Sequence, residues 1–560
     1  MDPNRGNPDP AGSNQPASAG SNQPASAGSN LPPIVGTRKT QGKDRELVDN
    51  VYGSPVDIKE YGCRRIGCLA ILAIILLIVI WALWRFNRDS TEHFEAIQEH
   101  FKYGSIGSEV GGTLADAVGG LLPPERIFAV LPAMFPDRLP GGYASLGLIT
   151  EPGHTSPIGV THRFRLGFPQ VGLNCAVCHV GTYRINPQTK PQIVLGMPAN
   201  RLHLQELFEF VVSSTLDPRF TPDNIIGHID QTDDPLSPLD RVLYRYVLIP
   251  RTVAATLQLK GYMGPLLGDT RVGRWGAGRV DTFNPYKALQ FHWDLDDLPI
   301  EQLTASSDYP SLWNQKPRGD HDMELHWDGN NPSLDERNLS AALGAGVTPT
   351  TVDIDALKRV AAWARTLPVP KYPLPIDEAK AARGAVVYAH YCTDCHGDHR
   401  FRDGVVDPAT MPRLGRVTPY PEIGTDRQRL DSYSLLFSQN QYTLYPDSTE
   451  RFRHFRKTDG YANQPLDGIW LKAPYLHNGS VPTIRDLLEP EVNRPVAFYR
   501  GCDVLDTQKL GFVSNVASEG KTRYDVYDTR LLGNHNTGHT WGTQLPPEDK
   551  DAIVEYMKKF

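Results

Sequence analysis

CAVCH at Cys175–His179 and CTDCH at Cys392–His396 decide how this chain is read. In each, two thiols three positions apart sit on one helical turn, where both can form thioethers with the vinyl groups of one haem. The histidine that follows is then held beneath the iron as its proximal ligand. With 7 cysteines and 17 histidines among 560 residues, chance supplies about 0.003 such motifs, and two are present. A zinc ribbon would set its two Cys pairs roughly 15–20 residues apart, whereas these start at residues 175 and 392 and each is followed by a histidine. A thioredoxin-like site needs one pair and no adjacent ligand. The sequence therefore calls for two covalently bound haem c groups, with Cys175, Cys178, Cys392 and Cys395 as attachment points and His179 and His396 as iron ligands.

Upstream of both motifs, Ile66–Trp84 (IGCLAILAIILLIVIWALW) carries no charged residue. As a helix it spans roughly 28 Å, close to the hydrocarbon thickness of a bilayer. Arg64 and Arg65 stand at one end and Trp81, Trp84, Arg85 and Arg88 at the other, as interfacial anchors do. No A-x-A-like cleavage site follows, so the stretch reads as a single transmembrane signal anchor. Nearby basic residues are balanced across it. Haem attachment to such motifs is completed outside the cytoplasmic membrane, which puts the haem domains on the periplasmic side and the N-terminal tail in the cytoplasm.

That tail repeats AGSNQPAS at Ala11–Ser18 and Ala19–Ser26 and offers nothing apolar to bury, so it reads as disordered. Length alone, at roughly 150 residues per domain, suggests three or four domains. The motifs divide the chain into a tail over 1–60, an anchor over 61–88, an N-terminal c-type haem domain over 89–370 and a C-terminal cytochrome c domain over 371–560. The second boundary falls at TLPVPKYPLP, where successive prolines disfavour helix. Beyond it Ile376–Tyr391 reads as an amphipathic helix running into CTDCH, and Pro546–Lys559 as a terminal helix with an acidic start and a basic end. Strand signals are sparse, so the expected fold is mainly α with extensive coil. A net charge of −7 excludes the basic footprint of a nucleic-acid-binding protein. Of the other cysteines, Cys63 and Cys68 flank the start of the apolar stretch, and Cys502 reads as a free structural thiol.

From about Gly141 onward the chain resembles the bacterial di-haem cytochrome c peroxidase superfamily, and within it the longer rubber oxygenase-like di-haem oxygenase branch. The resemblance rests on NCAVCHVGTYR (Asn174–Arg184), GRVDTFNP (Gly278–Pro285), PSLWN (Pro310–Asn314), LHWDGNN (Leu325–Asn331), LKAPYLHNGSVPTIRDLL (Leu471–Leu488) and GHTWGTQL (Gly538–Leu545). It implies that one haem has an open or displaceable distal position where peroxide or oxygen reacts, while a six-coordinate second haem relays electrons. It makes Trp327 the electron bridge and His326 a polar neighbour that either assists proton transfer or faces solvent. His477 matches a family histidine near the second haem, or is a hydrogen-bonded loop histidine. Shorter peroxidases ligate the second haem with a methionine, but no methionine lies between Met411 and Met557 here. His539 is then the matching distal ligand, with His535 the nearby competitor. The distal residue of the first haem is left open among His162, His203, His292 and His326.

The implied function is an extracytoplasmic, membrane-anchored haem oxidoreductase that takes electrons from a small redox protein and acts on peroxide or oxygen. The 217-residue motif spacing favours the oxygenase-like branch. The alternative is a pure electron-transfer di-haem cytochrome without a substrate site.

Overall fold

The computed structural model of the chain describes residues 58–109, 121–267, 273–445, 449–520 and 522–560, and the side chains of 58–66 are not among what it describes. The repeat-bearing tail over 1–57 and the side chain of Cys63 therefore lie outside the described residues. Helix α1 (Ile58–Asn87) contains the apolar stretch, and Gly67–Asn87 is long and apolar enough to cross a membrane, with none of it buried by protein.

The chain separates into two compact units, Met1–Val79 and Ile80–Phe560. Both CxxCH motifs belong to the second. Its architecture is mixed: helices and coil as expected, but also one three-stranded antiparallel sheet and six two-stranded pairs among the described residues. In the larger sheet β1 (Ser90–Thr91) pairs with β2 (Val160–Arg165), which pairs with β3 (Phe168–Leu173). The two residues between β2 and β3, Leu166 and Gly167, both have positive φ (53° and 85°), the requirement of a two-residue turn matched to strand twist. The other strands are only two to four residues long, too short for an alternating pattern to register in sequence.

α2 (Ile249–Met263) continues a helical run that begins at Pro238. Pro250 lacks the N–H for a normal helical bond, and the residues just before it, Tyr244–Leu248, widen into a π turn. α3 (Glu378–Tyr391) starts two residues later than its amphipathic pattern, because the Asp377 side chain caps it by accepting from the Lys380 N–H at 3.0 Å. It packs on α4 (Pro547–Met557). At the crossing a Cβ on Gly384 would fall 1.9 Å from the Ala552 carbonyl oxygen, so only glycine allows this approach. Tyr388 meets the rings of Tyr556 edge-on and of Phe560 at a tilt on the same contact.

One buried cluster draws Phe101, Trp313, Tyr388, Trp470 and Ile553 together, so segments before and after residue 370 share a core. A second regularity joins the two halves. Leu325–Glu336 (LHWDGNNPSLDE) and Tyr475–Asp486 (YLHNGSVPTIRD) fold alike at an offset of 150 residues. Each closes with one antiparallel bridge, Leu325 to Asn331 and Tyr475 to Val481. Each has a residue of positive φ at the second position (His326, 62°; Leu476, 68°) and a glycine of positive φ at the fifth (Gly329, 62°; Gly479, 66°). Each then enters a helix through a hydroxyl cap, Ser333 or Thr483. In this register Trp327 and His477 occupy equivalent places.

Two candidate haem-binding cavities

The first motif is held by Asn174. Its side-chain amide donates to the Phe101 and Gly104 carbonyls at 3.0 and 2.9 Å, and its Oδ1 accepts the Ala176 N–H at 2.9 Å. The turn ends in the short helix Ala176–His179. His179 Nδ1 then donates to the Pro310 carbonyl at 2.8 Å, which leaves Nε2 as the free, ligating nitrogen. The second motif has the same device: His396 Nδ1 donates to the Gln464 carbonyl at 2.8 Å. Burial pushes the His179 pKa down to about 4 and lowers that of His396, so both imidazoles are neutral at pH 7, the form that binds metal. All four motif thiols are unpaired.

Each motif lines its own cavity. The centre of a water molecule can occupy about 240 Å³ at the second motif and about 230 Å³ at the first. In the second cavity His539 lies opposite His396, their ring centres 6.0 Å apart. Two nitrogen–metal bonds of about 2 Å each, plus the distances from nitrogen to ring centre, fill that separation. His539 Nδ1 is buried without a hydrogen-bond partner, and burial drives its pKa down to about 3. The loop that presents it turns through Gly538 and His539, both at positive φ (73° and 48°). A Cβ on Gly538 would fall 2.3 Å from the Gly424 carbonyl carbon, and Arg494 clamps the loop by donating to the carbonyls of Asn536, Gly538 and His539. His535 is turned elsewhere, with its Nδ1 3.0 Å from Asp426. Of the two histidines in this loop, the structure brings His539 to His396.

The first cavity presents one motif imidazole, His179, to a wall rich in apolar and aromatic side chains that includes Phe208, Met263, Phe283 and Phe437. Of the other histidines considered for it, His326 is in its lining. His162 lies by Glu125, His203 by Asp525, and the His292 ring packs on Tyr262.

Five residues line both cavities: Tyr309, Pro310, His326, Trp327 and Arg337. Trp327 is fixed there by its Nε1–H, which donates to the Asp308 carbonyl at 2.8 Å. The Asp308 N–H donates in turn to the His477 carbonyl at 3.0 Å, so one residue ties together the two repeated turns. His326 donates through Nδ1 to Asn330 Oδ1 at 2.6 Å, and burial lowers its pKa to about 4, leaving Nε2 an unprotonated acceptor. His477 lines the second cavity, stacks on Tyr461 at 4.0 Å and has its Nε2 3.0 Å from the Tyr461 hydroxyl.

The chain's donor set fits haem c. Besides paired thiols and opposed imidazoles, the shared wall carries Arg337, whose guanidinium hydrogen-bonds Asn338 at 2.9 Å and has no carboxylate among the groups acting on it. Burial pushes its pKa down to about 10, and a haem would bring two carboxylates as counter-charge. Lys472, which lines the second cavity and is lowered by burial to about 8, already has a carboxylate partner, its Nζ lying 3.4 Å from Asp467. Sequence reading missed Arg337 and Asp308, which stand in none of the quoted motifs, and Lys472, which lies within LKAPYLHNGSVPTIRDLL but carries no signal of its own there. It also missed the repeated turn, whose G-x-x-P-S/T spacing was available in the letters.

Comparison with known proteins agrees with this chemistry. A family model described as RoxA-like, cytochrome c-like matches residues 460–499, the segment containing Gln464, Lys472 and His477. A cytochrome c-like segment implies covalently bound haem c. Two relatives come from Sinorhizobium fredii (strain NBRC 101917 / NGR234). The uncharacterized protein y4iM is 32% identical over 303 residues, covering 46% of this chain and 66% of its own length. The uncharacterized protein y4iJ is 26% identical over 514 residues, covering 75% of this chain and 82% of its own.

Proposed function

We propose that this protein is a membrane-anchored di-haem oxidoreductase, with peroxide or oxygen acting at the first haem and the second supplying electrons to it. The observation that carries the reading is the contrast between the cavities. One brings two imidazoles together with ring centres 6.0 Å apart; the other sets its motif imidazole, His179, against a largely apolar wall in which the second imidazole, His326, is held by Asn330. A saturated centre suits electron storage and an unsaturated one suits reaction. Haem iron, when bound, supplies the one-electron steps and the place where the oxidant reacts.

The chain's own groups do the rest. Cys175, Cys178, Cys392 and Cys395 fix the two haems covalently, and the Pro310 and Gln464 carbonyls orient His179 and His396. Arg337 holds haem carboxylates. Trp327, in the wall common to both cavities, is the electron bridge. His326 Nε2 is an acceptor in the same wall and holds a proton on its way to the reduced oxidant. The apolar lining of the first cavity favours an unsaturated apolar substrate as the acceptor of oxygen, with peroxide reduction the second reading. The helix over 67–87 anchors the protein in the inner membrane with the haem-bearing unit on the periplasmic side, where a small redox protein delivers electrons.

The test is rapid mixing of chemically reduced full-length protein with hydrogen peroxide and, separately, with oxygen. Both haems should reoxidise, and Trp327→Phe should slow reoxidation of the second by an order of magnitude while both stay covalently attached. If neither haem reacts, the protein is an electron carrier. An unchanged rate in the variant removes Trp327 from the electron path.

A further inference from the structure

The helical run from Pro238 to Met263 carries an exposed apolar face on the Ile80–Phe560 unit. Leu239, Val242, Tyr246, Pro250, Ala254, Leu257 and Gly261 recur at intervals of three and four, so they follow one face of the helix, and all are exposed. Leu239, Val242, Tyr246 and Leu257 are 44, 52, 71 and 55% exposed. A contiguous apolar face of this kind marks a binding surface. Within 241–263 there is no acidic residue, while Arg241, Arg245, Arg251 and Lys260 are basic. Arg241 and Arg245 are partnered by Asp230 and Asp223.

What covers this face is indicated by its neighbour. The same unit includes the last turns of α1, where Trp81, Trp84 and Arg85, followed by Arg88 just past the helix end, have interfacial character. Arg85 pairs with Asp240 at the start of the apolar run and donates to the Gly167 carbonyl at 3.0 Å. Phe86 meets Phe168 at 6.1 Å between ring centres, and Phe168 meets Tyr244 at 6.0 Å. Arg85 and Phe86, which follow the apolar stretch within the Ile80–Phe560 unit, are thus linked to the segment that bears the exposed face, Arg85 directly and Phe86 through Phe168.

We infer that the face from Leu239 to Gly261 lies in the headgroup and upper acyl region of the same membrane that α1 crosses, as an interfacial amphipathic helix. This rests on the reading of 67–87 as a membrane span. It gives the protein two membrane contacts, a span and a flat-lying helix, which together fix the orientation of the haem-bearing unit. Leu259 and Met263, from the same helix, line the first cavity, so seating the outer face holds that cavity beside the bilayer, from which an apolar substrate would enter.

The test uses full-length holoprotein in nanodiscs of phosphatidylcholine and phosphatidylglycerol containing a diazirine-bearing phospholipid. After irradiation and digestion, lipid adducts are expected on peptides from both 67–87 and 238–263. The triple variant V242E/Y246E/L257E, altered only at exposed positions, should lose most adducts from 238–263 and keep those on the span. Adducts confined to 67–87 would overturn the inference and leave the anchor standing, the face then being open to a protein partner. Adducts on neither segment would overturn both.

Discussion

His539→Ala is expected to abolish the low-spin signal of the second haem while leaving that haem covalently bound. On the proposed reading attachment rests on Cys392 and Cys395, which the substitution does not touch. The sixth position depends on the imidazole that faces His396 with ring centres 6.0 Å apart. His535→Ala is the matched control. Its ring is occupied with Asp426 and is 43% exposed, so the spectrum should not change. The check is low-temperature EPR of both variants beside the unaltered protein. A low-spin signal that survives in His539→Ala but vanishes in His535→Ala would exchange the two roles.

The second large effect concerns the turn that carries Trp327. Asp328, the next residue, accepts from Arg429 Nε and Nη2 at 3.0 and 2.9 Å, and the pair is 1% and 3% exposed at its side chains. Arg429 also reaches the hydroxyls of Thr282 and Ser307 and lies over the Phe283 ring. Asp328→Ala leaves this cation inside the protein without a counter-charge. The loss should be about 3–5 kcal/mol, as for other buried pairs broken on one side. Replacing both partners with apolar residues, Asp328→Leu with Arg429→Met, should cost less than Asp328→Ala alone, because no uncompensated charge remains. Urea denaturation followed by tryptophan fluorescence and by haem absorbance measures both. A single variant as stable as the unaltered protein would mean that the pair does not hold the turn.

How much of this was legible beforehand varies by region for physical reasons. The two CxxCH motifs are local: five consecutive residues contain the whole chemical requirement, so the candidate attachment sites stand in the letters themselves. The same holds for the apolar stretch of α1, whose length and composition are read from the letters alone, and for α3 and α4, whose patterns lie within the elements themselves, although α4 ends at Met557, before the Lys558 and Lys559 expected at its basic end. The small antiparallel sheets could not be read. Ala497–Arg500 pairs with Asp525–Asp528 across an intervening loop, and strands of four residues or fewer carry too little periodicity to stand out. The preference for His539 over His535 comes from the resemblance and not from the residues themselves, since the placement of the two rings depends on Arg494 and Gly424, both remote in sequence. Arg337 shows the limit most plainly. Its interest comes from being inside the protein without a carboxylate, a property that exists only once the chain is folded.

The most direct measurement of the central claim is the haem content and spin state of the full-length protein as purified. Pyridine haemochrome analysis against protein concentration should give two haems c per chain. EPR of the oxidised protein should show one low-spin centre, from the cavity of His396 and His539, and one high-spin centre, from the cavity of His179. Two low-spin centres unresponsive to peroxide and oxygen, or a single haem per chain, would contradict the account.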